Sequence, residues 1–222
     1  MDKSLPYRQL LFDLDGTVMN SVPGVIGSVL YAYDCLGLPQ PPEAQYREFV
    51  GPPLHVSFPA HGVPEEQVWT AIGYYRERYH ARGKYEAEPY PGIPALLAGL
   101  KEHGFPLYVA TSKPEALSVE ILTYFGLASF FNRIAGATED KSRADKEAVL
   151  RYLLEEFSPE ERAGAVLIGD TIYDVEGAAA VGLPCIAVTW GCGDPEEMAK
   201  NAVMLVDSPE ELLQILTEGR DR

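Results

Sequence analysis

The sequence predicts an α/β fold: a doubly wound, Rossmann-like parallel sheet carrying an inserted α-helical cap. Three observations predict it. From Pro91-Gly92 onward, short apolar runs alternate with helix-period segments, the pattern of parallel strands covered by helices on both faces. One further apolar run, Leu10-Leu11-Phe12, stands far upstream, and no strand signal appears between Val18 and Pro91. The ends of these runs gather acids, hydroxyls and glycines, where such a sheet presents its ligand-binding edge. The predicted organisation is a core of residues 1–18 and 91–222 and a cap of residues 19–90.

In order along the chain, the first strand runs into Asp13-Leu14-Asp15-Gly16-Thr17-Val18. Extended backbone alternates its side chains, so Asp13 and Asp15 are expected on one side and Leu14 in the core. From Ser21 to Leu36 the apolar residues Val22, Val25, Ile26, Val29, Leu30 and Tyr33 recur at helical spacing, until Pro39, Pro41 and Pro42 break the pattern. A short helix over Glu43–Phe49, a turn through Phe49 to Leu54 and a helix from Pro64 to about Arg82 complete the cap. The core then reads helix Ile93–His103, strand Leu107–Ala110, helix Pro114–Phe125 and strand Arg133–Ala135. Helix Asp145–Phe157, strand Ala165–Ile168, helix Asp174–Val181, strand Cys185–Val188, strand Val203–Val206 and helix Pro209–Leu216 follow.

Composition bounds the function. The 222 residues fit one large domain, two small ones, or an α/β domain with a helical insertion. A formal charge of −15 argues against a nucleic-acid or anionic-membrane surface, so a small anion would need a locally positive site. The Tyr- and Arg-rich stretch from Tyr74 to Tyr85 fits a solvated helix face. No stretch has the length and apolarity of a membrane span, and the opening residues lack a signal-peptide pattern. Cys35, Cys185 and Cys192 are odd in number and scattered, which fits core thiols in a reducing cytoplasm. The four histidines show no ligand spacing.

The strand ends converge on one chemistry. Strand one ends in Asp13 and Asp15, the second in Thr111 and Ser112, and the fourth in Gly169 and Asp170, with Asp174 a helical turn on. Clustered acids suit Mg²⁺, which takes carboxylates, waters and a substrate phosphate oxygen, with Asp13 and Asp170 as its natural ligands. Asp174 serves the metal through water or caps the helix it enters. Thr111 and a lysine, Lys141 or Lys146, suit a phosphoryl group, whose transfer asks mainly for positioning and neutralised charge. Lys146 is preferred because it opens the helix that Val149, Leu150, Leu153, Leu154 and Phe157 anchor to the sheet. An aspartate, Asp13, can act as nucleophile while Asp15 moves the proton.

These motifs, in this order on this background, resemble the haloacid dehalogenase superfamily. Asp13-Leu14-Asp15-Gly16-Thr17-Val18, Thr111-Ser112-Lys113, the later lysine and Gly169-Asp170-Thr171-Ile172-Tyr173-Asp174 match its four signatures. Gly51-Pro52-Pro53-Leu54, Thr111-Ser112-Lys113-Pro114 and Ser142-Arg143 are similar to the phosphoglycolate phosphatase and 5′-nucleotidase-like branch. The resemblance implies Mg²⁺ dependence, the main-chain carbonyl of Asp15 as a metal ligand, and a mobile cap closing over a small phosphate ester, with Gly51 and Ser112 on the substrate. Thr171 and Cys192 depart from the pattern, and no role is carried to either. The expected function is a phosphatase acting on phosphoglycolate- or nucleotide-like monoesters, as a monomer or homodimer. The alternatives are a phosphomutase on the same core and a non-catalytic phosphate-binding protein.

Overall fold

The computed structural model describes residues 5–138, 140 and 142–218. The chain divides into two compact units, one of Met1–Met19 with Pro89–Arg222 and one of Asn20–Glu88. Strand β1 (Gln9–Phe12) opens the first unit, and β2 (Met19–Asn20) leads out of it. The second unit holds α1 (Val22–Leu36), α2 (Leu54–Ala60) and α3 (Val68–Ala81), and the chain returns through β3 (Glu88–Pro89).

The first unit then continues with α4 (Ile93–Glu102), β4 (Leu107–Pro114), α5 (Glu115–Tyr124), β5 (Arg133–Ala137), α6 (Lys146–Glu155) and α7 (Pro159–Ala163). After these come β6 (Ala165–Gly169), α8 (Ile172–Ala180), β7 (Cys185–Val188), α9 (Pro195–Met198), β8 (Met204–Val206) and α10 (Pro209–Thr217). Six strands form one sheet in the order β5-β4-β1-β6-β7-β8, every neighbouring pair parallel. The chain builds outward from β1 through β4 to β5, then crosses back to build from β6 to β8. The order therefore reverses between β1 and β6, where a doubly wound sheet opens a crevice at its carboxyl edge.

Burial explains why the strands read as apolar runs: β1, β6 and β7 are buried at every position. Alternation sends Leu11 to one face, where Ala110, Leu167 and Ala187 join Val149, Leu150 and Leu153 of α6 and Val175 and Ala178 of α8. Leu10 and Phe12 go to the other face, and both are fully buried.

Several local expectations are corrected. Strands β2 and β3 lie where no strand was anticipated, each only two residues long and without apolar alternation to announce it. Residues Glu43–Phe49 and Glu65–Gln67 wind as 3₁₀ turns, so α3 starts at Val68. Helix α2 begins at Leu54, where the expected turn ends, in a stretch to which the sequence reading assigns no element, and α9 is a single capped turn. Helix α7 carried a legible signal in Ser158 and Glu161, which cap each other's backbone. Strand β4 reaches Pro114 through a bulge, since Thr111 pairs with Gly136 but Pro114 with Ala137.

Within the second unit, α1 packs on the segment after α3 through glycine: a Cβ on Gly24 would stand 1.9 Å from the Gly83 carbonyl oxygen. Tyr33, Phe49 and Phe58 form its aromatic core, with ring centroids 5.9 to 6.5 Å apart. Arg78, read from sequence as part of a solvated face, donates to both carboxylate oxygens of Glu86 at 2.8 and 3.2 Å. Gly51 turns the chain before α2 at φ 107°, a left-handed conformation that favours glycine.

Candidate active site

Three strands at the middle of the sheet deliver the site. Asp13 follows β1 directly and its amide donates to the Ile168 carbonyl at 2.8 Å, which seats it beside the end of β6. Asp170 follows β6, and Thr111 lies in β4 on the other side of β1. Asp174 stands in the first turn of α8. All four are at least nine-tenths buried. One carboxylate oxygen from each of Asp13, Asp170 and Asp174 lies within 4.8 Å of the other two.

Lys146 is the cation of this cluster. It opens α6, and its ammonium donates to Asp13 Oδ1 and to the Ala110 carbonyl oxygen, the latter at 2.8 Å, while lying 2.8 Å from Asp174 Oδ1. Its stem crosses α8 at Gly177, where a Cβ would come within 2.6 Å of Lys146 Cγ. Lys141, the other lysine considered, lies outside the described residues.

Asp174 does two jobs with its two oxygens. Oδ2 accepts from the amide and hydroxyl of Thr171 at 3.0 and 2.8 Å, fixing the start of α8, and Oδ1 faces Lys146. A Cβ on Gly169 would fall 2.4 Å from Asp174 Cβ, so the approach of this acid to β6 depends on that glycine.

Electrostatics follow from burial. Desolvation pushes Asp13 up to about 6; the Lys146 ammonium opposes that rise, and Asp174 and Asp15 add to it. Asp170 is raised well above the usual carboxylate range by burial, then by Asp174 and Asp13, against hydrogen bonds from the Cys192 amide and the Thr17 hydroxyl. Burial alone would lower Lys146, but Asp13 and Asp174 outweigh it and hold the ammonium above its ordinary value. Three buried carboxylates against one ammonium leave an excess of negative charge. Hard oxygen donors with such an excess are what a divalent cation such as Mg²⁺ fits.

Asp15 lies near enough to Asp13 to add to its rise, but it is paired with a cation. Its side chain stands outside the acid cluster and accepts from Lys113 Nζ at 2.6 Å. Strand alternation ends at Phe12, and the chain then turns through Gly16 at φ 90°, with Asp15 bridging to Met19. Leu14, by contrast, is fully buried as the pattern predicts. Lys113 reaches Asp15 from the bulged end of β4, a place where bulges commonly re-aim side chains. Thr111 Oγ1 accepts from the Lys113 amide at 3.2 Å, which leaves its proton to donate elsewhere. Ser112 is exposed beside it. Gly51 belongs to the other unit.

Sequence reasoning places Thr17 and Lys113 within the signatures but gives them no role, and it does not single out Trp190; all three support the site's acids from outside. Thr17 Oγ1 donates to Asp170 Oδ1 at 3.0 Å, and Trp190 Nε1 donates to the Thr17 carbonyl oxygen at 3.0 Å. A lysine two residues after a strand-end hydroxyl was a usable signal for Lys113. Thr17 lies within the first signature, and nothing local marks Trp190.

A sheet edge that gathers buried acids, a buried lysine and a free hydroxyl at a topological switch point defines a site for an anionic group together with a hard cation. The chain belongs to the haloacid dehalogenase-like hydrolase family, whose model matches residues 10–188. It is 39% identical over 200 residues to a 5′-nucleotidase of Pseudomonas aeruginosa, covering 89% of each chain. It is 39% identical over 198 residues to the tyrosine-protein kinase PtkA of Mycobacterium tuberculosis, covering 89% of this chain and 67% of that one. A phosphoglycolate phosphatase of Cupriavidus necator is 32% identical over 224 residues, covering 98% and 96%. Among solved structures, a haloacid dehalogenase-like hydrolase from Streptococcus pneumoniae superposes with TM-score 0.87 at 32% identity, covering 94% of this chain and 97% of that one.

Proposed function

We propose that this chain is a Mg²⁺-dependent phosphatase that hydrolyses small phosphomonoesters, phosphoglycolate- or nucleotide-like, through an aspartyl-phosphate intermediate on Asp13. The observation that carries the reading is the buried cluster of Asp13, Asp170 and Asp174 with Lys146 against Asp13. Asp13, Asp170 and Asp174, with the main-chain carbonyl of Asp15, would hold the Mg²⁺. When bound, the ion neutralises these carboxylates and polarises the phosphoryl oxygens.

The chain's own groups divide the rest. Asp13, fixed at the end of a buried strand, attacks phosphorus while the ester P–O bond breaks. Asp15, held from the side by Lys113, gives its proton to the leaving oxygen and later takes one from the water that cleaves the acyl phosphate. The Thr111 hydroxyl and Lys146 hold the phosphoryl oxygens through both steps. Ser112 and Gly51 are assigned to the remainder of the substrate. The odd number and wide scatter of Cys35, Cys185 and Cys192 support a reducing, cytoplasmic compartment.

Phosphoglycolate, nucleoside monophosphates and sugar phosphates, assayed with Mg²⁺ and in excess chelator, test this reading. Release of inorganic phosphate only with the cation, and a phosphoryl mass on Asp13 trapped in an Asp15→Asn variant, are the expected results. Full turnover in chelator, or trapped phosphate on another residue, would sink it. Likeness to a relative named a tyrosine-protein kinase supports one second reading, transfer of the phosphoryl group to an acceptor hydroxyl instead of water. Labelled phosphate recovered on an acceptor, and not as inorganic phosphate, would favour that reading or the phosphomutase alternative.

A further inference from the structure

We infer that the loop after β7, Trp190-Gly191-Cys192-Gly193, is a positioning element for Asp170, pinned by the Trp190 indole, and that it sets the affinity of the acid cluster for its divalent cation. The inference rests on the metal site proposed above and concerns residues that do not touch the cation.

Asp170 is fully buried, and both of its carboxylate oxygens are held. The Thr17 hydroxyl donates to Oδ1 at 3.0 Å and the Cys192 amide donates to Oδ2 at 2.9 Å. The Gly193 amide donates to the Asp170 main-chain carbonyl oxygen at 3.1 Å, so the loop grips backbone and side chain together. Trp190 closes the arrangement. Its Nε1 donates to the Thr17 carbonyl oxygen at 3.0 Å, which ties the loop to the segment whose hydroxyl holds the opposite side of the same carboxylate.

Glycine is what lets the loop come this close. A Cβ on Gly191 would lie 2.2 Å from Asp170 Oδ2, and one on Gly193 2.1 Å from the Asp170 carbonyl oxygen. Gly16 closes the cradle from the other side, where a Cβ would lie 2.1 Å from Oδ2. Between the two loop glycines, Cys192 contributes its amide to Asp170. A carboxylate with one donor on each oxygen keeps its remaining lone pairs in fixed directions, and outer partners of this kind orient a metal ligand.

Mn²⁺ binding followed by electron paramagnetic resonance on the full chain tests the inference, with thermal melting in chelator as the readout of fold. Wild-type protein and Asp170→Ala establish the metal site itself. Trp190→Phe keeps the ring and removes the donor, and should weaken Mn²⁺ binding by about tenfold, the low end for loss of an outer partner. Thr17→Val should weaken it by about 10- to 100-fold. In chelator Trp190→Phe should melt within about 3 °C of wild type, because a half-buried hydrogen bond contributes little to a domain of this size, whereas Thr17→Val, which removes a buried donor from a carboxylate, should melt several degrees lower. At saturating Mg²⁺ turnover should recover, so the change falls on the metal requirement.

Wild-type affinity in both variants would overturn the inference while leaving the metal site standing. Lowered melting with unchanged affinity would overturn it too, by showing a purely structural role. If Trp190→Phe does not fold, Thr17→Val decides alone. Absence of Mn²⁺ binding to wild-type protein would overturn the metal site, and this inference with it.

Discussion

Replacing Lys146 by methionine isolates the electrostatic problem at the centre of the site. The side chain keeps an unbranched apolar stem, one heavy atom shorter, so packing against Gly177 is largely retained, but the ammonium between Asp13 and Asp174 is gone. Three buried carboxylates then remain without a cation. Removing one partner of a buried ion pair costs about 3–5 kcal/mol. At about 2–4 °C per kcal/mol for a chain of this size, the metal-free variant should melt about 6–20 °C below wild type at pH 7.5. The pH dependence has a definite sign. Asp13, at about 6, and Asp170 are both raised in the folded state above their ordinary value of 3.8, so the native protein binds extra protons and loses stability as pH rises through that interval. Without Lys146 the rise in Asp13 is no longer opposed, and the loss extends to higher pH. The gap between variant and wild type should therefore narrow toward pH 5, where the cluster takes up a proton, and widen above pH 7. Circular dichroism melts in chelator at pH 5 and 7.5 measure this directly. A variant melting with wild type at pH 7.5, or a gap wider at pH 5, would refute the charge-compensation argument.

Protons and a divalent cation compete for the same oxygens, so Mg²⁺ should raise the wild-type melting temperature more at pH 7.5 than at pH 5; an equal rise would place the ion elsewhere. Asp13→Asn should abolish phosphoenzyme formation, whereas Asp15→Asn should slow both half-reactions by about 10²- to 10⁴-fold, read by rapid quench. Lys146→Ala should lower turnover by orders of magnitude and Lys141→Ala far less, and steady-state kinetics showing the reverse order would reassign the phosphate-binding lysine. Gly51→Ala should change the ranking of substrates in a phosphate-ester panel, because φ 107° suits glycine; an unchanged ranking would remove that loop from the site.

The sequence by itself determined the α/β alternation, the helical insertion and the positions of Asp13 and Asp170 just past strand ends, while Thr111, expected at a strand end, lies within β4. These depend on periodicity and on the preference of ligand sites for the carboxyl edge, both of which are local or topological properties. It also singled out Lys146, because the apolar face of α6 fixes which way that helix starts. Tertiary structure alone decided the partners. Alternation put Asp15 beside Asp13, but the strand stops at Phe12 and the bulge in β4 brings Lys113 to Asp15, leaving Asp174 as the third acid. The hydrogen bond from Thr17 to Asp170 spans 153 positions, and the grip of the Cys192 amide on the same carboxylate uses no side chain at all. Contacts made by backbone donors, or closed by strand order across the sheet, leave no periodic trace in the residues that make them, which is why the acids were legible and the cradle that holds them was not.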